Sequence, residues 1–226
     1  PIEKGIITNM IAKRIKKIAP SGIREFFDLV LGMPEVISLG VGEPDFISPW
    51  RVREKAITAL EEGLTSYTSN QGLFTLRQGI SGHLKGKYSL SYNPKNEILI
   101  TVGVSEALDL ALRAVLDPGD KVVVVSPYYV AYPALVEINY AQVIPLVTKE
   151  EEGFKINPKS LSEVLKKKPK AIILNYPANP TGITYTLEEL KEIWKVLSRQ
   201  EIIVISDETY DELTYQKVHT AFPSLD

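Results

Sequence analysis

Asp207 stands at the end of a β-branched run, Ile202, Ile203, Val204 and Ile205, with Ser206 between. A run of this kind without polar alternation reads as a strand covered on both faces, as in a parallel sheet. An unpaired carboxylate at the end of a buried strand is costly, because it loses its hydration. Either Asp207 turns the chain back into water, or it meets a cationic group. Tyr210, three residues on, adds a phenol at the same exit. Polar and aromatic residues follow the other candidate strands too. In "GVSEAL", Gly103 and Ser105 stand where a helix begins. Free N–H groups beside a small hydroxyl make an anion site there, although an ordinary Ser cap explains the pattern as well. In "SPYYVAYP", Tyr128 and Tyr129 offer a flat face for a planar ligand, or simple packing. In "YPANPTG", Pro177, Pro180 and Gly182 bracket Asn179, and an X–Pro bond there could be cis. The result is a ligand amide or a rigid turn.

The elements that must position these residues follow from punctuation and periodicity. Strands are predicted at 97–103, 121–127, 141–147, 170–175 and 201–206, with Pro145 marking 141–147 as an edge or its end. Helices are predicted at 105–116, 131–138, 157–168 and 186–198, separated by turn chemistry such as "DPGD". Pro158 suits a first helical turn, and the lysines that finish that segment suit the helix dipole. This alternation implies an α/β fold with a largely parallel sheet and helices on both faces. Right-handed crossovers place all the strands' C-terminal ends on one side, where ligands of open sheets bind. Upstream, Ile11, Ile15 and Ile18 alternate with basic residues in "KRIKK", which reads as a solvated helix face rather than a binding arm. Ser21 caps a further short helix in "SGIREFFDLV".

Bulk composition removes several function classes. The 226 residues carry 26 Lys+Arg against 28 Asp+Glu, a net charge of -2, so neither a nucleic-acid groove nor an anionic membrane surface is indicated. There is no cysteine, which excludes disulfides, thiolate metal sites and a Cys nucleophile. His83 and His219 are too few and too far apart to suggest a metal site. No apolar run approaches the roughly 20 residues of a membrane span, and no signal-peptide core opens the chain. A cytoplasmic protein is the expectation. No Gly-rich loop is followed by Lys, and no G-x-G-x-x-G opens a helix.

An anion site, a stacking aromatic, an amide, a carboxylate and a phenol thus converge on one sheet edge. A planar phosphorylated aromatic with a ring nitrogen and a phenolic oxygen would use all five. A carboxylate facing the ring nitrogen keeps it protonated, the state that pyridoxal phosphate chemistry needs.

The chain resembles the class I/II aminotransferases of the fold-type-I pyridoxal phosphate enzymes, nearest the prokaryotic aspartate, aromatic and acetyl-diaminopimelate branch. The resemblance rests on "ISLGVGEPDF", "TSYTSNQGLFTLR", "ITVGVSEALDLAL", "LDPGDKVVVVSPYYVAYP", "NYPANPTG" and "VISDETYDEL", in the family's order and over essentially the whole chain. It implies pyridoxal 5'-phosphate as cofactor, an amino acid and a 2-oxo acid (2-oxoglutarate) as substrates, and a homodimer with no nucleic-acid or membrane partner. The backbone of Val104 and Ser105 would cradle the phosphate, and Tyr129 would stack on the ring. Asn179 would bond the phenolic oxygen and the substrate carboxylate. Asp207 would pair with the ring nitrogen, and Tyr210 would tune the phenolic oxygen. Gly42 lies in the loop that meets the substrate carboxylate, so that Gly42, Tyr129 and Asn179 form the substrate side. Tyr67 would reach the cofactor phosphate of the neighbouring subunit. The resemblance also divides the chain into an N-terminal arm, 1–45, and a large cofactor-binding domain, 46–226.

By the resemblance, the family's Schiff-base lysine and its following phosphate-binding Arg would be expected after Asp226, as would the substrate-carboxylate Arg of a C-terminal small domain. Lys217 is too close to Tyr210 to replace that lysine and reads as a surface residue. The working protein is therefore expected to be longer, with these residues as its N-terminal portion. A β-lyase on the same scaffold and a non-catalytic pyridoxal phosphate-binding module are the alternatives. "SGIREF" and "YPANPTG" lean towards the acetyl-diaminopimelate and aromatic side of the branch.

Overall fold

A computed structural model describes residues 10–18, 33, 35–37, 42, 46–215 and 218–225. The helix expected after Ser21, and Lys217, lie outside them. Four parallel strands, β1 (Lys121–Ser126), β2 (Gln142–Val147), β3 (Ala171–Asn175) and β4 (Ile203–Asp207), form a sheet in the order β2-β1-β3-β4. The register pairs Val124 with both Pro145 and Ile173, and Asn175 with Asp207. Pro145 sits on the outer strand, where a missing N–H breaks no ladder bond.

Helices cover both faces, as the alternation predicts. On one face, α4 (Gly103–Val115) and α5 (Ala131–Ile138) pack Leu108, Leu112, Tyr132 and Val136 against Val122, Val124 and Ile173. On the other, α6 (Pro158–Leu165) and α7 (Leu187–Leu197) pack Leu161, Leu190 and Ile193 against Val123, Ile172 and Leu174. The helices form where local signals agree. Asn157 caps α6 by accepting from Lys159 N at 3.0 Å, with Pro158 in the first turn. Thr186 and Glu189 form a reciprocal capping box at α7. The face also reverses with direction: β1 leads through α5 outward to β2, while β2 returns through α6 to β3 on the opposite side. That is the outcome right-handed crossovers require, and it leaves a switch point between β1 and β3.

Among the described residues the helices upstream are α1 (Lys13–Lys16), α2 (Trp50–Glu61) and α3 (Phe74–Tyr88). The basic segment is a single helical turn whose Lys13 and Lys16 are exposed, as a solvated face should be, and Ile11 and Ile15 are exposed as well. Arg14 lies over the Tyr140 ring and donates to its hydroxyl at 2.5 Å. No helix among the described residues is long and apolar enough to cross a membrane.

Two expectations are corrected. The segment 97–103 is not a strand: it joins no ladder among the described residues, and Ile100 N donates instead to Gln71 O at 3.0 Å in a loop. Its side chain fills the space where a Cβ on Gly72 would stand. An apolar run becomes a strand only when another strand meets its backbone, and sequence does not announce that meeting. Ser105 is also not the N-cap. Helix α4 starts two residues earlier, at Gly103 with φ +77°, behind Val102, whose N–H donates to Glu106. Glycine enters that backbone without the steric cost other residues carry.

Candidate functional site

The strand exits bring the predicted residues together. Val104, Ser105, Tyr129, Asn179, Asp207 and Tyr210 line one cleft of about 420 Å³ at the C-terminal edge of the sheet, beside the switch point. Ser105 is exposed in the first turn of α4, so that turn offers the cleft N–H groups with no partner inside the helix. Tyr129 is half-open to solvent and meets Tyr132 edge-to-face, with ring centroids 5.7 Å apart. Both X–Pro bonds of the "YPANPTG" loop, Tyr176–Pro177 and Asn179–Pro180, are cis.

Asp207 is 9% exposed and is the one charged side chain lining the cleft among the described residues. Its Oδ2 accepts from the Tyr132 hydroxyl at 2.7 Å, and its Oδ1 accepts from the Thr209 hydroxyl at 2.8 Å. Thr209 N also donates to Oδ1 at 3.3 Å. Its backbone carbonyl accepts from Asn175 Nδ2 at 3.0 Å and Tyr176 N at 3.2 Å. Asn175 Oδ1 in turn accepts from Asn179 N at 2.8 Å, which ties the loop of Asn179 to the strand pair that carries Asp207. Burial, and then the bond to Asp207, push the Tyr132 phenol above its ordinary range, so it remains a donor at neutral pH.

Tyr132, Thr209 and Asn175 were not singled out by sequence. Tyr132 carried a signal, since it follows Tyr129 by one helical turn. Thr209 carried a weaker one, standing two residues after Asp207, where a hydroxyl can close on the carboxylate. Neither Gly42 nor Tyr67 lines the cleft. Gly42 is exposed with open space around it, and Tyr67 is fully exposed.

A carboxylate with one or two donors on each oxygen keeps lone pairs free for a further N–H. It therefore stabilises a cationic ring nitrogen in the cleft, where water is partly excluded. A flat phenol wall, an amide, a second phenol and a helix start complete a donor set that fits pyridoxal phosphate.

A parallel α/β sheet with this set at its switch point defines a fold-type-I enzyme scaffold, and the chain belongs to the class I and II aminotransferase family, which matches residues 34–224. It is similar to the putative aminotransferase YugH of Bacillus subtilis, with 45% identity over 97% of this chain and 57% of that protein. The probable N-acetyl-LL-diaminopimelate aminotransferase of the same organism shares 39% identity, over 93% of this chain and 53% of its own. The solved aspartate aminotransferase from Thermus thermophilus with maleate superposes with a TM-score of 0.89 at 32% identity, over 95% of this chain and 57% of that one. The chain thus spans somewhat more than half the length of the relatives it matches.

Proposed function

We propose that the protein containing this chain is a pyridoxal phosphate-dependent aminotransferase, moving an amino group from an aspartate-, aromatic- or diaminopimelate-type amino acid to 2-oxoglutarate. The observation that carries this reading is Asp207, a buried carboxylate facing the cleft with both oxygens anchored by hydroxyls. Family membership and the names of the relatives support it, and the maleate named with the Thermus enzyme is a dicarboxylate like 2-oxoglutarate.

Bound in the cleft, pyridoxal phosphate supplies an electron-withdrawing ring that stabilises charge at a substrate's α-carbon. Asp207 holds a proton on the ring nitrogen, and Tyr132 and Thr209 keep the carboxylate in place. N–H groups of Val104 and Ser105 bind the phosphate, with the Ser105 hydroxyl beside them. Tyr129 covers one ring face and excludes water there. Tyr210 donates to the phenolic oxygen, while Asn179 orients that oxygen and the substrate carboxylate. In this reading Gly42 offers its backbone to the same carboxylate, and Tyr67 serves the neighbouring subunit of a homodimer, a role its full exposure permits. Residues 46–226 act as the cofactor-binding domain and 1–45 as an arm.

Intact-mass measurement of the full-length protein, before and after pyridoxal phosphate with borohydride, tests the reading when paired with a transfer assay. The expected result is one trapped cofactor and 2-oxoglutarate-dependent release of a keto acid. Pyruvate and ammonia without an acceptor would establish a β-lyase instead, and no trapped cofactor would refute both enzymes.

A further inference from the structure

Successive residues at a strand end point to opposite faces. Asp207 turns towards the α4/α5 face, where Tyr132 meets it, and Glu208 turns to the other side. There the Glu208 carboxylate gathers donors from three places. Ser206 Oγ donates to Oε1 at 2.6 Å and Phe222 N donates to the same oxygen at 3.0 Å. His219 Nε2 lies 2.6 Å from Oε2. The His219 side chain is 2% exposed, and among the described residues its Nδ1 has no hydrogen-bond partner, so there Glu208 is the imidazole's single polar tie. Two rings fix the imidazole on its remaining sides. Tyr176 stacks on it at 5.2 Å and 28°, and Tyr88 meets it edge-on at 5.8 Å. Tyr176 also donates its hydroxyl to Thr220 O at 3.1 Å.

These contacts close a circuit around the turn that carries the cleft's carboxylate and phenol. Tyr88 touches His219 with its ring and donates its hydroxyl to Asp211, the residue after Tyr210. The turn is therefore gripped at Glu208 and at Asp211, with Thr209 and Tyr210 between them. Tyr176, at the exit of β3, stacks on the same imidazole with its ring and donates its own N–H to the Asp207 carbonyl at 3.2 Å. None of the Glu208, His219 and Tyr88 side chains lines the cleft.

We propose that Glu208, acting with His219, is a positioning residue: from behind the sheet it holds the turn after β4 so that Asp207 and Tyr210 present their side chains to the cleft. This rests on the reading of the cleft as a pyridoxal phosphate site. A buried pair kept for stability alone would leave folded molecules with normal cofactor binding. A positioning pair makes binding and the state of the ring nitrogen depend on it.

The test uses the full-length protein and pyridoxal phosphate labelled with ¹⁵N in the ring, reading affinity by titration and the ring nitrogen by its NMR shift. Near-ultraviolet circular dichroism selects variants that are folded. Glu208→Gln and His219→Asn are expected to bind the cofactor about tenfold more weakly, the lower end of what outer partners of metal ligands cost, with the ring signal moved towards unprotonated pyridine. His219→Gln, whose amide nitrogen stands near the place of Nε2, is expected to recover both signals. If Glu208→Gln does not fold, the contrast between His219→Asn and His219→Gln decides alone. Folded variants with wild-type affinity and ring signal would overturn the proposal. A wild-type protein that binds no pyridoxal phosphate would instead remove the cofactor reading beneath it, a result the wild-type titration identifies by itself.

Discussion

At the scale of single residues, the site depends on how one carboxylate is held. Buried charge without donors is costly, and each Asp207 oxygen has a hydroxyl directed at it. A hydrogen bond to a charged group contributes more than a neutral one. Tyr132→Phe removes one such bond while keeping the ring that packs in the core and against Tyr129. We predict a loss of about 2 kcal/mol in denaturant unfolding, together with weaker pyridoxal phosphate binding by titration. Unchanged stability and affinity would show that Thr209 alone suffices. The carboxylate was legible in the sequence because a charged residue interrupted a strand-like run. Its pairing with Tyr132 was not, because that residue lies 75 positions away, while Thr209, two residues on, carried only a weak local signal.

At the scale of elements, α3 braces the turn after β4. Lys87 pairs with Asp211 at 3.0 Å and with Glu212, and Tyr88 donates to Asp211. Burial would raise the Asp211 carboxyl, but bonds from Tyr88 and Lys87 outweigh it and hold the group below the usual carboxylate range. A depressed carboxyl contributes stability that is fully present above its unfolded value, near 3.9, and is lost as the pH falls below it through the folded value. Asp211→Asn is therefore predicted to cost about 1–2 kcal/mol at pH 7, with the gap from wild type closing below about pH 4. Unfolding curves between pH 7 and pH 3 check this, and a gap that does not narrow as the pH falls would mean that lost packing, not charge, is responsible. Elements were mostly legible. β-branched runs gave β1 to β4, and the helices predicted at 157–168 and 186–198 begin within one residue of α6 and α7, although α6 ends three residues early, at Leu165. The run at 97–103 looked the same and formed no strand, because among the described residues no other strand meets its backbone, and Leu99 and Val102 stay exposed.

At the scale of the whole molecule, segment 46–104 leaves large apolar side chains in solvent, among them Phe46, Trp50, Leu64, Leu99 and Val102. A surface of this kind is ordinarily covered in the working assembly. In line with the proposed homodimer, sedimentation equilibrium of the full-length protein is predicted to give twice the mass of one subunit at micromolar concentration. A monomer there would remove the subunit-bridging role proposed for Tyr67.

The sequence by itself determined the layered α/β architecture, the side of the sheet on which polar residues collect and the family, since hydrophobic period, turn chemistry and ordered motifs are local properties. Tertiary structure alone decided the rest. It turned Asp207 and Glu208 to opposite faces, brought Tyr132 to one and His219 to the other, and tied Ile100 to the loop at Gln71. Those outcomes depend on contacts between distant segments, and a contact is fixed only when burial, backbone pairing and hydrogen bonding are satisfied together.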